Sequence, residues 1–168
     1  MSAPTLVSVA DYLDSAYEPD RDYVDGALEE RNVGEWDHAE LQLRLGAYLL
    51  GLYGPSGFRV ATELRIRVTP TRYRVPDICV FLSDPGERVP STPPFLCIEI
   101  LSPEDRMSRI EERINDFLSM GVRYVWVLDP QTRQAFIATP EKGLQEVRTG
   151  ILRTDNPVLE APLNTLFR

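Results

Sequence analysis

The sequence predicts an α/β (α+β) fold, a central mixed sheet flanked by helices, and three observations carry that prediction. Apolar residues recur at helical spacing from Asp37 to Tyr53 and again from Met107 to Leu118. Between these segments lie runs rich in β-branched and aromatic residues, Phe58–Val68, Tyr73–Leu82 and Phe95–Leu101, separated by Pro, Ser and Gly. A further apolar run, Tyr124–Leu128, follows the second helical segment. The central order is therefore helix, three strands, helix, strand. With 168 residues, one domain over 1–168 with a substantial core is expected. Its parts are an acidic helix and hairpin over 1–35, a core over about 36–130, and C-terminal strands and tail over 131–168.

Each element has a local cause. Ser8 is placed to cap a short helix, Val9–Tyr17, that Pro19 ends. Asp22–Glu30 reads as a hairpin turning at Asp25-Gly26. Leu41, Leu45, Tyr48, Leu49 and Leu52 form the stripe of the long helix, which Gly54-Pro55 closes. Leu64, Ile66 and Val68 alternate with Glu63, Arg65 and Arg67 near the end of the first strand. Pro70-Thr71 breaks it before Tyr73–Leu82. Phe95–Leu101 is almost wholly apolar, as befits a central strand covered on both faces.

The second helix is expected to start sharply, with Ser102 as N-cap, Pro103 in the first position and Asp105 as capping-box acid. Met107, Ile110, Ile114, Phe117 and Leu118 would form its buried stripe, and Gly121 its C-terminal signal. Gln134–Thr139 and Leu144–Arg148 read as further strands, and 151–168 as a tail that packs back.

Composition narrows the function classes. A chain 43% hydrophobic and 26% charged is a soluble globular one. No run approaches the ~18 apolar residues of a membrane span, and Met1-Ser2-Ala3-Pro4 carries no basic-then-apolar signal, so a cytoplasmic protein without a membrane partner is expected. Cys79 and Cys97 lie in apolar strands as core thiols, with no metal-type spacing. His38 is the only histidine, which excludes mechanisms needing two and histidine-rich zinc sites.

The net charge of −8 is unevenly spread: residues 1–42 hold eleven acids and two bases. Arg59, Arg65, Arg67, Arg72 and Arg74 face only Glu63 over residues 59–75, and Arg106, Arg109 and Arg113 make a second basic cluster. Both clusters suit either a solvated face or a basic groove; the overall acidity implies weak non-specific binding to nucleic acid.

Two carboxylates stand alone in apolar surroundings. Asp77 precedes Ile78-Cys79-Val80-Phe81-Leu82, and Glu99 lies within Phe95–Leu101. An unpaired buried charge costs several kcal/mol, so such groups are paired, protonated or bound to a metal. Carboxylates 22 residues apart cannot meet locally, so strand pairing must join them. Joined, they would form the oxygen-rich site that a hard cation such as Mg²⁺ prefers.

The order of these words resembles the PD-(D/E)xK nuclease superfamily, and more closely the Uma-type restriction endonuclease family, long a bacterial domain of unknown function. The matching words are Tyr23-Val24-Asp25-Gly26, His38 at the start of the long helix, Tyr73-Arg74-Val75-Pro76-Asp77, Glu99-Ile100-Leu101-Ser102-Pro103, Gly121-Val122 and Trp126-Val127-Leu128-Asp129-Pro130. The resemblance implies a restriction-endonuclease-like core, Mg²⁺ or Mn²⁺ as cofactor, no organic cofactor, and metal-dependent phosphodiester hydrolysis in DNA by a homodimer. It implies Asp77 and Glu99 as metal ligands, with the main-chain carbonyl of Ile100 as a third. Where the superfamily has its lysine this chain has Leu101, and the position aligned with a helical lysine holds Arg113.

Arginine is always protonated, so Arg113 would stabilise charge or clamp a phosphate, not act as a base; otherwise it borders the core and pairs with an acid. Glu63 could add a third acid to the ion site, or pair with Arg65 or Arg74. His38, Arg74 and Arg106 are candidate contacts to phosphate or nucleic acid, His38 also to metal-bound water; partial burial or helix capping is the plain alternative for His38, and a solvated face for the two arginines. The second functional expectation is a catalytically weak or inactive nuclease fold that binds nucleic acid or protein.

Overall fold

A computed structural model describes residues 3–168. Ser8 caps α1 (Val9–Asp14), its hydroxyl accepting the Asp11 N–H at 3.1 Å. The hairpin β1 (Asp22–Val24) and β2 (Ala27–Glu29) turns at Asp25-Gly26, both with positive φ, as a two-residue turn between right-twisted strands requires. The long helix α2 spans Trp36–Tyr53 and ends in a 3₁₀ turn, Gly54–Ser56.

The next two strands depart from the expected pattern. Phe58–Val68 divides into β3 (Arg59–Thr62) and β4 (Ile66–Thr69), and Tyr73–Leu82 divides into β5 (Arg72–Arg74) and β6 (Ile78–Phe81). The breaks fall at Glu63, with φ +54°, and at Val75-Pro76-Asp77. At each break the chain crosses between two sheets. β4 and β5 pair in a small sheet ordered β2-β1-β5-β4, whereas β3 and β6 pair in the large one. Both halves of each run are extended strands, so strand-forming composition alone does not reveal the crossing.

The large sheet continues through β7 (Leu96–Ile100), β8 (Tyr124–Asp129), β9 (Gln134–Thr139) and β10 (Gly143–Glu146), in the order β10-β9-β8-β7-β6-β3. β7 and β8 are parallel and joined by α3 (Met107–Met120); the other neighbours are antiparallel, so the sheet is mixed as expected. All five residues of β7 are buried, the mark of a strand covered on both faces. The tail returns as β11 (Ile151–Arg153), β12 (Glu160–Pro162) and α4 (Leu163–Leu166), burying Leu152, Leu159, Ala161 and Leu166.

The helix expected from Ser102 begins instead at Met107, with Arg106 as its N-cap. Ser102 and Asp105 do pair reciprocally: the Asp105 N–H donates to the Ser102 carbonyl at 3.0 Å, and the Ser102 N–H to Asp105 Oδ2 at 2.6 Å. They close an isolated turn, because Arg106 is extended (φ −100°, ψ 135°) and breaks the helical path. Met107 is consequently exposed, while Ile110, Ile114 and Phe117 are buried as expected.

Alternation sorts the core. Leu96, Ile98 and Ile100 face α2 with Leu41, Leu45, Leu49 and Trp126. Cys97 faces α3 with Ile110, Ile114, Phe117, Val125 and Val127. Glu99, two residues on from Cys97, lies on the α3 face, where Arg113 meets it. Among the described residues no helix is long and apolar enough to cross a membrane.

Gly121 ends α3 at φ +111°, and a Cβ there would lie 3.0 Å from Pro93 Cγ. Gly121→Ala should lower stability by about 1–2 kcal/mol through the left-handed backbone alone. Urea denaturation checks this; an unchanged midpoint would contradict it.

Candidate active site

Asp77 stands at the crossing from the small sheet to the large one, directly before β6. β6 and β7 pair as far as Ile78 and Ile98, so the Ile100 N–H lies past the last bonded pair. The Asp77 carboxylate takes that donor, Oδ2 accepting it at 2.7 Å. Arg31 donates to Asp77 Oδ1 at 2.9 Å, and His38 Nε2 lies 3.3 Å from Oδ2. Asp77 is 3% exposed and Glu99 5%. Both line one pocket of ≈ 50 Å³, together with Arg31, His38, Ile100, Asp105, Arg109 and Arg113.

Glu99 accepts one hydrogen bond among the described residues, from Arg113 to Oε1 at 2.8 Å. Burial, and next the charge of Asp77, push its carboxyl well above the usual carboxylate range. Burial likewise raises Asp105, against the bond from Ser102 N–H. For His38 burial opposes protonation, but the bond to Asp77 and the charges of Asp77 and Glu63 outweigh it and raise the pKa. His38 Nδ1 is buried with no hydrogen-bond partner among the described residues.

Arg113 is buried on α3, and burial lowers its pKa to about 10, which leaves it charged at neutral pH. Besides Glu99 it donates to the Val75 carbonyl at 3.1 Å and to Asp22. Asp22 Oδ1 accepts the Val75 N–H at 2.9 Å, and Oδ2 accepts from Arg74 at 3.1 Å. Arg74 is 1% exposed and also donates to Glu29, Glu112 and Asp116.

The expected site residues thus fall into groups. Asp77, Glu99, Ile100, Arg113 and His38 share the pocket. Arg74, expected as a phosphate contact, lies outside that lining, its guanidinium enclosed by carboxylates. Arg106 is exposed at the N-cap of α3 outside the lining, and Arg109, one turn later, lines it instead. Glu63 does not line the Asp77–Glu99 pocket and pairs with neither Arg65 nor Arg74; it binds Arg31 and accepts from Gln42 at 3.0 Å.

Sequence reasoning missed Arg31, Gln42, Asp22 and Asp105 as parts of the site. For Arg31 one signal existed: it is one of only two bases in the acidic first 42 residues.

No group of three or more His, Cys, Asp or Glu among the described residues makes a metal cluster. The donor set still suits a magnesium-like ion, which keeps several waters and is held by one or two carboxylates. Asp77 and Glu99 supply two hard carboxylates on one pocket, Glu99 Oε2 accepting no hydrogen bond from a described residue.

Known proteins share this chain's family and fold. The model of the family Uma2, described as "Putative restriction endonuclease", matches residues 9–166. The chain belongs to this family. The match runs through every site residue named above. A solved structure with the same fold is described as a putative nuclease belonging to DUF820 from Anabaena variabilis. It superposes with a TM-score of 0.83 at 22% identity, covering 96% of this chain and 97% of that one. No curated protein matches the chain.

Removing the Asp22 carboxylate would leave the buried Arg74 and Arg113 short of a counter-charge. Asp22→Ala should cost about 3–5 kcal/mol in chemical denaturation, and Asp22→Asn less. A loss under about 1 kcal/mol would contradict the role given to this carboxylate.

The raised pKa of Glu99 also sets a sign. The fold retains a proton that the unfolded chain releases, so this group lowers stability as pH rises above the unperturbed value of 4.5. The deficit is complete once Glu99 ionises within the fold. Glu99→Gln should flatten the fall of stability from pH 5 to 8, measured as denaturation midpoints without metal. An unchanged slope would contradict the shift.

Proposed function

We propose that the protein is a metal-dependent endonuclease that hydrolyses phosphodiester bonds in DNA. The observation that carries this reading is the convergence of Asp77 and Glu99 on one pocket, in a chain of a restriction endonuclease family. Asp77, Glu99 and the main-chain carbonyl of Ile100 would hold Mg²⁺ or Mn²⁺. Bound there, the ion supplies an acidified water and polarises the phosphoryl oxygen.

The chain's own residues prepare that site. The Ile100 N–H fixes one oxygen of Asp77, and Arg113 fixes one oxygen of Glu99. Arg113 lines the pocket beside Glu99 and stays protonated, so it orients that carboxylate and adds positive charge to the pocket, and cannot act as a base. Arg109 is exposed on the pocket wall, where a cation suits an incoming phosphate. Cutting both strands with one compact site per chain calls for two copies, so the proposal includes a homodimer on DNA.

Plasmid cleavage with Mg²⁺ or Mn²⁺ tests the reading. Asp77→Asn and Glu99→Gln should each lose activity by about 100-fold or more. Arg113→Ala should lose activity together with stability, while Arg109→Ala should mainly raise KM. Equal cleavage by wild type and all variants would defeat the site. Wild-type binding to DNA without cleavage would favour the inactive-nuclease alternative, to which Leu101 in the superfamily's lysine position points.

A further inference from the structure

Asp77 has a cationic partner that belongs to the chain itself. Arg31 lies in the segment between β2 and α2, yet its side chain is only 11% exposed. One nitrogen donates to Asp77 Oδ1 at 2.9 Å, and its guanidinium also engages both oxygens of Glu63, at 3.4 Å on Oε1. Gln42 closes the arrangement, donating to Glu63 Oε1 at 3.0 Å and to the Asp77 carbonyl at 2.9 Å.

Each oxygen of Asp77 is therefore engaged: Oδ2 by a main-chain donor and His38, Oδ1 by a full positive charge. A dication within bonding distance of Oδ1 would stand a few ångströms from that guanidinium, where like charges repel strongly. Glu63 offers Arg31 a second partner, and its side chain is 41% exposed, so the guanidinium can leave Asp77 without becoming unpaired.

Resting on the metal-dependent reading above, we propose that Arg31 is a resident counter-ion that competes with the divalent cation for Asp77 and withdraws toward Glu63 when the metal binds. The competition makes metal loading weaker than the two carboxylates alone would give. It also spares the metal-free site an unbalanced buried carboxylate. Glu63 serves as the receiving partner of Arg31 and not as a metal ligand.

Calorimetric titration of Mn²⁺ into the whole chain, without DNA, tests this. Arg31→Gln should bind Mn²⁺ about tenfold more tightly than wild type, whereas Arg31→Lys, which keeps the charge, should stay within about threefold of it. Unchanged or weaker binding by Arg31→Gln, with wild type binding Mn²⁺, would overturn the competition and leave the nuclease reading intact. No binding by wild type or by Arg31→Gln would overturn both.

A measurement on the unaltered protein guards against a folding defect in the variant. In ¹⁵N spectra of arginine side chains, saturating Mg²⁺ should shift the Arg31 Nε–H resonance as the guanidinium leaves Asp77 for Glu63. An Arg31 signal unchanged at saturation would overturn the proposal.

Discussion

A single carboxylate, 1% exposed, binds two guanidinium groups and a main-chain N–H, and the candidate site depends on it. Asp22 lies in the small sheet, Arg74 at its next strand, and Arg113 on the helix that packs against the large sheet. The bond to the Val75 N–H holds the crossing segment just before Pro76-Asp77. Through Arg113 the same carboxylate orients Glu99. Ions buried in low dielectric are tolerated only when paired with good geometry, and here the pairing also bears on the position of both pocket acids, Asp77 and Glu99.

The site follows from a second constraint, the end of a strand pair. β7 runs past the last residue of β6 with which it bonds, leaving a main-chain donor that a buried strand cannot leave unmet. Asp77 meets that need with one oxygen and holds Arg31 with the other, at the pocket that both line. Glu99 reaches the pocket because alternation along β7 puts it on the α3 side, away from the apolar contacts with α2. Two acids brought together by these unrelated causes repel, and the protein offsets this with Arg113 beside Glu99 and Arg31 beside Asp77.

Much of this was legible in the residues. The apolar run around Glu99 marked the central strand, and helical spacing marked both long helices, because burial imposes those periods directly. The pairing of Asp77 with Glu99 was legible as an energetic anomaly: each was a lone charge among apolar neighbours. The division of Phe58–Val68 and Tyr73–Leu82 was hidden, since both halves of each run are strands of similar composition; only Pro76 and the positive φ at Glu63 mark the crossings. The start of α3 was misplaced because Ser102-Pro103 and Asp105 satisfy the same hydrogen bonds in an isolated turn as at a helix start. Asp22 was invisible as a site residue, for Arg113 lies 91 residues away, and Arg31 stood out only as a base in an acidic stretch, its partner Asp77 lying 46 residues away.

The central claim is that Asp77 and Glu99 hold one divalent cation between them. Crystals grown with Mn²⁺ and measured at a wavelength where manganese scatters anomalously test it most directly. The account predicts one strong anomalous peak within coordination distance of Asp77, Glu99 and the Ile100 carbonyl, absent from Asp77→Asn crystals. A fully occupied peak elsewhere in the molecule, with none in this pocket, would contradict it.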